Sequence, residues 1–279
     1  MILQKIYKKL IPKKEKIPIV TIKENNKLLE GKVALILGGS GGIGLAIAKK
    51  FLDSGCKVII AGRSKDKLEK IIQEVNDDNL KYIIINMLNC SKFATNVEEA
   101  VGLFGKIDIL VNSAGIHSTN PIQDFFNFSE EEYDEILDIN LKGLFFYTRE
   151  IANYMIKNEV KGHILNISSS TSLEPAWSPY RLSKWALNGL TKGLADRLLE
   201  YGIIVNGIAP GSTATKLLNY EEGQSIETKD NPVNRYIMPE EIAEYAKMLV
   251  SDLGDMIIGE TVLISGGRGN IYIPTYKKP

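Results

Sequence analysis

From Val33 to Leu37 five apolar residues run directly into Gly38-Gly39-Ser40-Gly41-Gly42-Ile43-Gly44, and a helical pattern follows that closes at Gly55. Strand, glycine loop and helix in that order make the first half of a βαβ unit, which commits the chain to parallel pairing with its crossovers lying on the sheet faces. Glycines at such a junction let the backbone turn tightly and approach a pyrophosphate, which the helix N-terminus then faces with N–H groups that have no partner inside the helix. A flexible turn would also use glycines, but it does not require them between a strand and a helix. Gly38, Gly42 and Gly44, with Ser40 and Ile43 among them, are therefore read as a nucleotide cradle.

The alternation then repeats along the chain. Lys57 to Ala61 reads as a second strand and Ser64 as the N-cap of a helix to Val75; Tyr82 to Ile85 is a third strand, with a helix from Ser91 to Phe104 closed by Gly105. Ile107 to Val111 is a fourth strand ending in Asn112-Ser113-Ala114-Gly115, and Ser129 with Glu132 makes a capping box for one long helix toward Ile156. Gly162 to Ile167, Ile203 to Ile208 and Glu260 to Ile264 complete the strands, with helices opening at Pro179 and Pro239. The expected fold is α/β: a doubly wound parallel sheet of about seven strands with helices on both faces, in a single domain spanning 31–279. Residues 212–238 show no strong period and read as a mobile cover over a substrate.

Residues 1–30 read as a basic N-terminal extension. Ile2, Leu3, Ile6, Tyr7, Leu10 and Ile11 recur at helical spacing among lysines until Pro12, a pattern suited to packing on the parent domain or, through residues 1–16, to touching a membrane surface. The 34 Lys+Arg balance 34 Asp+Glu, so no global field argues for nucleic acid. No apolar run is long enough to span a membrane and no secretory signal opens the chain, which makes the cytoplasm the expected compartment. Cys56 and Cys90 lack metal-ligand spacing, so no metal is expected and both thiols are read as reduced and structural.

Chemistry concentrates between Asn166 and Lys184. A strand stops there in Ser168-Ser169-Ser170, and Pro179 opens a helix that puts Tyr180 and Lys184 four apart on one face. A phenol is a poor acid or base at neutral pH, but a neighbouring ammonium favours its anion, and a serine hydroxyl at the strand end can hydrogen-bond the same substrate oxygen. Gly62-Arg63-Ser64, where the second strand ends, offers an arginine for a 2′-phosphate in place of an acidic residue for a 2′-hydroxyl; this favours NADP(H), with NAD(H) open if Arg63 is only a surface residue. Asn140, set among apolar neighbours, needs buried partners. His117, Glu174, Trp177 and Tyr220 are placed near the pocket by position, and His163 is read as structural.

With these motifs in this order, the chain from Leu29 to Gly267 resembles the short-chain dehydrogenase/reductase family in its compact, single-domain, Rossmann-type form. The likeness rests on Gly38, Gly42 and Gly44; on Asn112 to Gly115; on Asn140, Ser169, Tyr180 and Lys184; and on Pro210-Gly211. It implies hydride transfer between a nicotinamide and a carbonyl or secondary alcohol. Tyr180 would be the acid or base, and Lys184 would lower its pKa and hold the nicotinamide ribose. Ser169 would polarise the carbonyl, with Ser168 or Ser170 as alternatives, and Asn140 would fix a water in a proton relay. It further implies that Ala114, Gly115, Pro210, Gly211, Thr213 and Thr215 border the cofactor, with Asn112 beside it, and that the chain forms a homodimer or homotetramer through the helices of Asn140 and Tyr180, where Leu144, Phe145 and Leu187 are either interface or core.

Leu37, Ser113, Asn86 and Ser265 depart from the family pattern. Substrates left open are 3-oxoacyl thioesters, sugars, steroids and small ketones. Two other readings are an NAD-preferring dehydrogenase and a nucleotide-binding regulator without turnover, although a pure binder has no use for a Tyr and Lys placed to move protons.

Overall fold

A computed structural model describes residues 27–118, 124–221 and 223–269; the basic segment of residues 1–16 lies outside them. Seven short strands pair in parallel: β1 (Val33–Leu37), β2 (Lys57–Gly62), β3 (Leu80–Ile84), β4 (Ile109–Asn112), β5 (His163–Ile167), β6 (Ile204–Pro210) and β7 (Thr261–Ile264). Their order, β3-β2-β1-β4-β5-β6-β7, is that of a doubly wound sheet whose direction of growth reverses between β1 and β4. Strand ends differ from the sequence expectation by one or two residues, as hydrogen-bonded boundaries do.

Among the described residues seven α-helices cover the sheet: α1 (Gly42–Asp53), α2 (Lys65–Val75), α3 (Phe93–Phe104), α4 (Glu130–Leu137), α5 (Leu144–Lys157), α6 (Pro179–Leu198) and α7 (Pro239–Leu249). Because successive strand residues point to opposite faces, Leu35, Leu37 and Ile59 join the core of α3, α5 and α6, while Ala34, Ile36 and Ile60 join that of α1, α2 and α7. β1 and β5 are buried at all positions, which is why they read as unbroken apolar runs. Phe93 of α3 meets Tyr147 of α5 edge to face with ring centroids 5.1 Å apart. Each such large side chain, once fully buried, contributes about 1.5–3 kcal/mol.

Local signals place most of the helix ends. The Ser64 hydroxyl accepts from the Lys67 N–H and the Ser178 hydroxyl from the Arg181 N–H at 3.3 Å, while Gly105 ends α3 at φ 83°. Leu28 and Leu29 are buried and the Leu29 N–H donates to Ser54 O at 3.1 Å, so the packed body begins ahead of residue 31.

The single helix expected from Ser129 toward Ile156 is three pieces: α4, a π turn over Asp138–Gly143, and α5. The capping box is half made. Ser129 accepts from the Glu132 N–H at 3.2 Å, but the Glu132 carboxylate instead accepts from the Ser118 hydroxyl. Residues 212–238 are tied at both ends, by a bridge between Thr213 and Ile237 and by the Arg235 guanidinium donating twice to Glu241 at 2.7 Å.

Candidate active site

The reversal between β1 and β4 opens a crevice at the carboxyl ends of the strands, and Gly38 sets its width. Gly38 has φ +75°, and a Cβ there would stand 2.7 Å from Ala114 Cα. Gly42 faces Thr215, whose Cγ2 lies 2.5 Å from where its Cβ would be, and Gly44 packs on the Gly38 carbonyl. The N-terminus of α1 carries neither a side-chain cap nor an acidic residue in its first turn. Its free N–H groups and positive dipole end suit a phosphate. A cavity of about 260 Å³ runs from Gly38 and Ser40 past Arg63, Lys67 and Asn86 to Ala114 and Gly115. A cradle of glycines, an anion-ready helix end and two cations at the far side fit a dinucleotide.

A second cavity, about 250 Å³, holds Ile43, Pro210, Gly211, Thr213 and Thr215 on one side and Ser169 and Tyr180 on the other. Gly115 of the first cavity backs onto the buried Asn140 and Lys184: a Cβ there would meet Asn140 Oδ1 at 3.3 Å and Lys184 Nζ at 3.5 Å. Of the expected cofactor contacts, Gly42, Gly44 and Lys184 lie just behind the cavity walls, whereas Ser64, also expected at the cofactor, serves as the α2 cap and lines neither cavity. Asn112 turns its carboxamide back into the sheet, where Nδ2 donates to Thr148 Oγ1 at 2.9 Å and to Asn166 Oδ1 at 2.7 Å, and Asn166 Nδ2 donates on to Thr191 Oγ1 at 2.9 Å.

Asn140 finds its buried partners in the π turn: Oδ1 accepts from the Ile116 N–H at 2.8 Å, and Nδ2 donates to Ile116 O at 2.9 Å and Ser183 Oγ at 3.3 Å. Of the three serines, Ser168 donates to Lys184 O at 3.2 Å, whereas the Ser169 hydroxyl accepts from Thr171 Oγ1 at 2.9 Å and from the Thr171 N–H at 3.2 Å and lines the cavity beside Tyr180. Burial pushes that phenol above its ordinary value, against the lowering effects of Ser169 and Arg268. Lys184 Nζ stands 5.6 Å from the centre of the Tyr180 ring and donates to Ile167 O at 3.0 Å, and burial drives Lys184 itself down to about 8. Burial is the leading cause at both groups, complete at Lys184 and partial at Tyr180, which lines the cavity.

The family described as short chain dehydrogenase is matched over residues 32–225. A 3-oxoacyl-acyl-carrier-protein reductase of Rickettsia felis is 38% identical over 244 residues, covering 86% of this chain and 97% of that protein. Among solved structures, a 3-ketoacyl-acyl-carrier-protein reductase from Brucella melitensis complexed with NADH superposes with a TM-score of 0.79 at 32% identity, covering 87% of this chain and 99% of that one. A gluconate 5-dehydrogenase from Burkholderia cenocepacia with NADP and tartrate also gives 0.79, at 29% identity and coverages of 89% and 99%. The chain belongs to the short-chain dehydrogenase/reductase family. It is an oxidoreductase acting on CH–OH and C=O groups with a nicotinamide dinucleotide.

In this short-chain dehydrogenase the four departures have local answers. The turn after Leu37 is tied by backbone alone, the Ser113 N–H donating to Leu37 O at 3.0 Å. Asn86 lines the first cavity with its oxygen already accepting from the Leu88 N–H at 3.1 Å. Ser265 Oγ donates to Arg268 O at 2.8 Å and so shapes the turn that follows β7.

Of the residues placed near the pocket by position, His117 and Trp177 line it, with the His117 ring 4.5 Å from that of Tyr180. Tyr220 does not, and donates to Gln224 O. Glu174 stands behind the wall, bound to Arg181 and Arg268. Sequence reasoning missed Lys67, Arg181 and Arg268. Lys67 had a signal, four residues after Arg63 at the start of a helix; Arg268 had none, because only the position of β7 brings it to Tyr180.

Proposed function

We propose that the protein is an NADP(H)-dependent reductase or dehydrogenase of a small carbonyl/secondary-alcohol pair, with Tyr180 exchanging the proton at the substrate oxygen. The observation that supports this reading is a crevice with Ser169 and Tyr180 at one end, Lys184 buried beside Gly115 and the Tyr180 ring, and two cations, Arg63 and Lys67, at the other end. The dinucleotide supplies or accepts the hydride when bound. Gly38, Gly42, Gly44 and the α1 N-terminus would hold its pyrophosphate, Pro210, Gly211, Thr213 and Thr215 its nicotinamide end, and Arg63 with Lys67 a 2′-phosphate.

Ser169 would orient the substrate oxygen next to the phenol, and Lys184 would position the cofactor ribose beside Asn140. Chain-like substrates such as 3-oxoacyl thioesters and polyhydroxy acids both fit a cavity walled by hydroxyls and guanidinium groups. The domain takes in the residues from Leu28 on. We read the enzyme as cytoplasmic and as a homodimer or homotetramer; no described helix is long and apolar enough to cross a membrane. Leu144 and Leu187 are core, whereas Tyr133, Phe145, Leu182 and Trp185 on α4, α5 and α6 are exposed and available to a second copy.

Fluorescence titration with NADPH and NADH tests the reading. Tighter NADPH binding is expected, and Arg63→Ala should lose roughly tenfold or more in NADPH affinity with little change for NADH. Equal binding of the two by the unaltered protein would remove the 2′-phosphate assignment, and binding of neither would remove the oxidoreductase reading.

A further inference from the structure

Among the described residues the wall of the Tyr180 cavity is charged in one sense only: Arg181 and Arg268 line it, and no described carboxylate does. Their counterion, Glu174, lies behind them: Oε1 accepts from Arg268 Nε at 2.7 Å, and Oε2 accepts from Arg268 Nη2 at 3.3 Å and Arg181 Nη1 at 2.8 Å. Burial pushes the Glu174 carboxyl up, but the bonds and charges of the two arginines together hold it below its ordinary value, so it is an anion serving two cations. Glu174 by itself therefore leaves one cationic charge at the wall. Asp230 acts on Arg268 by charge from an exposed position and touches it through Ser212, whose hydroxyl donates to Asp230 Oδ2 at 3.0 Å and accepts from Arg268 Nη1 at 3.3 Å.

Arg268 is held for this position. Its carbonyl takes the Ser265 hydroxyl, its N–H donates to Ser265 O at 3.3 Å, and its side chain keeps 27% of its surface accessible. Its charge is felt at the Tyr180 phenol. A guanidinium fixed on one edge by a carboxylate presents its remaining N–H groups as a preorganised fork for a second anion.

We propose that Arg268 is a specificity-determining residue that binds an anionic group of the substrate, a carboxylate or a phosphate, while the substrate's carbonyl or alcohol lies at Tyr180. This rests on the oxidoreductase reading of the same site and narrows its substrates to small oxo or hydroxy compounds that carry a negative charge. The anion takes no part in the redox step; it fixes which carbon faces the nicotinamide.

Two measurements on the full chain test this separately from that reading. In the first, Trp177 fluorescence in a Trp185→Phe background is titrated with malonate and with inorganic phosphate in the presence of NADPH. Saturable binding is expected for at least one, weakened roughly tenfold or more by Arg268→Gln and largely kept by Arg268→Lys. The stronger of the two names carboxylate or phosphate as the source. No binding by the unaltered cavity, or binding indifferent to Arg268→Gln, would overturn the proposal whatever the enzyme turns over. In the second, NADPH consumption is followed with acetoacetate and its methyl ester, and with dihydroxyacetone phosphate and dihydroxyacetone. Arg268→Gln is expected to raise KM for the charged member of a pair roughly tenfold more than KM for its neutral member, the lost charge at Tyr180 acting on kcat for both alike. An equal rise in KM for both members would overturn the proposal. Anion binding that depends on Arg268 together with no turnover of any carbonyl would uphold the anion site and sink the oxidoreductase reading.

Discussion

Lys184 carries its amine where almost no water reaches it, and stability and catalysis make opposite demands on that group. Its value falls from 10.5 to about 8 through burial, so the unfolded chain binds more protons than the folded one between those two values. Stability at this residue therefore rises with pH across about 8 to 10.5, and the burial penalty, on the order of 3 kcal/mol, is fully present below pH 8. Lys184→Met should abolish turnover yet raise the melting temperature at pH 7 by a few degrees, measured by calorimetry. A fall would mean that the bond from Nζ to Ile167 O outweighs the burial. Tyr180→Phe should leave NADPH affinity unchanged and lose turnover, read by titration and initial rates side by side.

Ser169, Tyr180 and Lys184 were legible because one strand end and one helix carry all three. The direction of the Tyr180 shift was not, since spacing shows which charges are near but not how far burial outweighs them. Arg268 was illegible for a different reason: the Gly-Gly turn after β7 gives no hint that it points toward a helix far earlier in the chain.

At the scale of elements, the π turn over Asp138–Gly143 makes the Asn140 site. An α-helical pattern continues across it, so the apolar spacing of α4 and α5 reads as one rod, and a single inserted residue leaves no trace in that period. Gly143 is the residue that lets the turn approach the segment after β3: a Cβ there would lie 2.6 Å from Met87 O. Gly143→Ala should cost about 1–3 kcal/mol, seen as a lower urea midpoint, and should cut turnover by displacing Asn140 from Ile116. An unchanged midpoint would show that the turn can back away freely. The strand-loop-helix units were legible throughout, because each is bounded by glycine, proline or a serine cap.

For the whole molecule, Cys56 offers a reporter. Burial pushes its thiol up to about 12, and its Sγ donates to Lys32 O at 3.3 Å. Thiolate is the reactive form, so iodoacetamide at pH 7.5 should label Cys56 only as fast as the domain opens, and saturating NADPH should slow that labelling. Labelling as fast as that of an unfolded control would contradict the packed core around it. Exposed Phe145 gives a second test: Phe145→Glu should lower the oligomer mass in sedimentation if the face of α4, α5 and α6 holds two copies together, and an unchanged mass would move the interface elsewhere.

The pair of amides beneath the crevice has a consequence for how the sheet assembles. Asn112 and Asn166 sit directly across from each other on β4 and β5, and each also reaches a threonine on a covering helix. Apolar residues would pack nearly as well after a slip along the strand, but the amides would not: shifted by one place, both would face the opposite layer without partners. Two polar side chains in the driest part of the protein thus act as a key that admits a single alignment of the central strands, and with it the single alignment that brings Gly115 to Lys184.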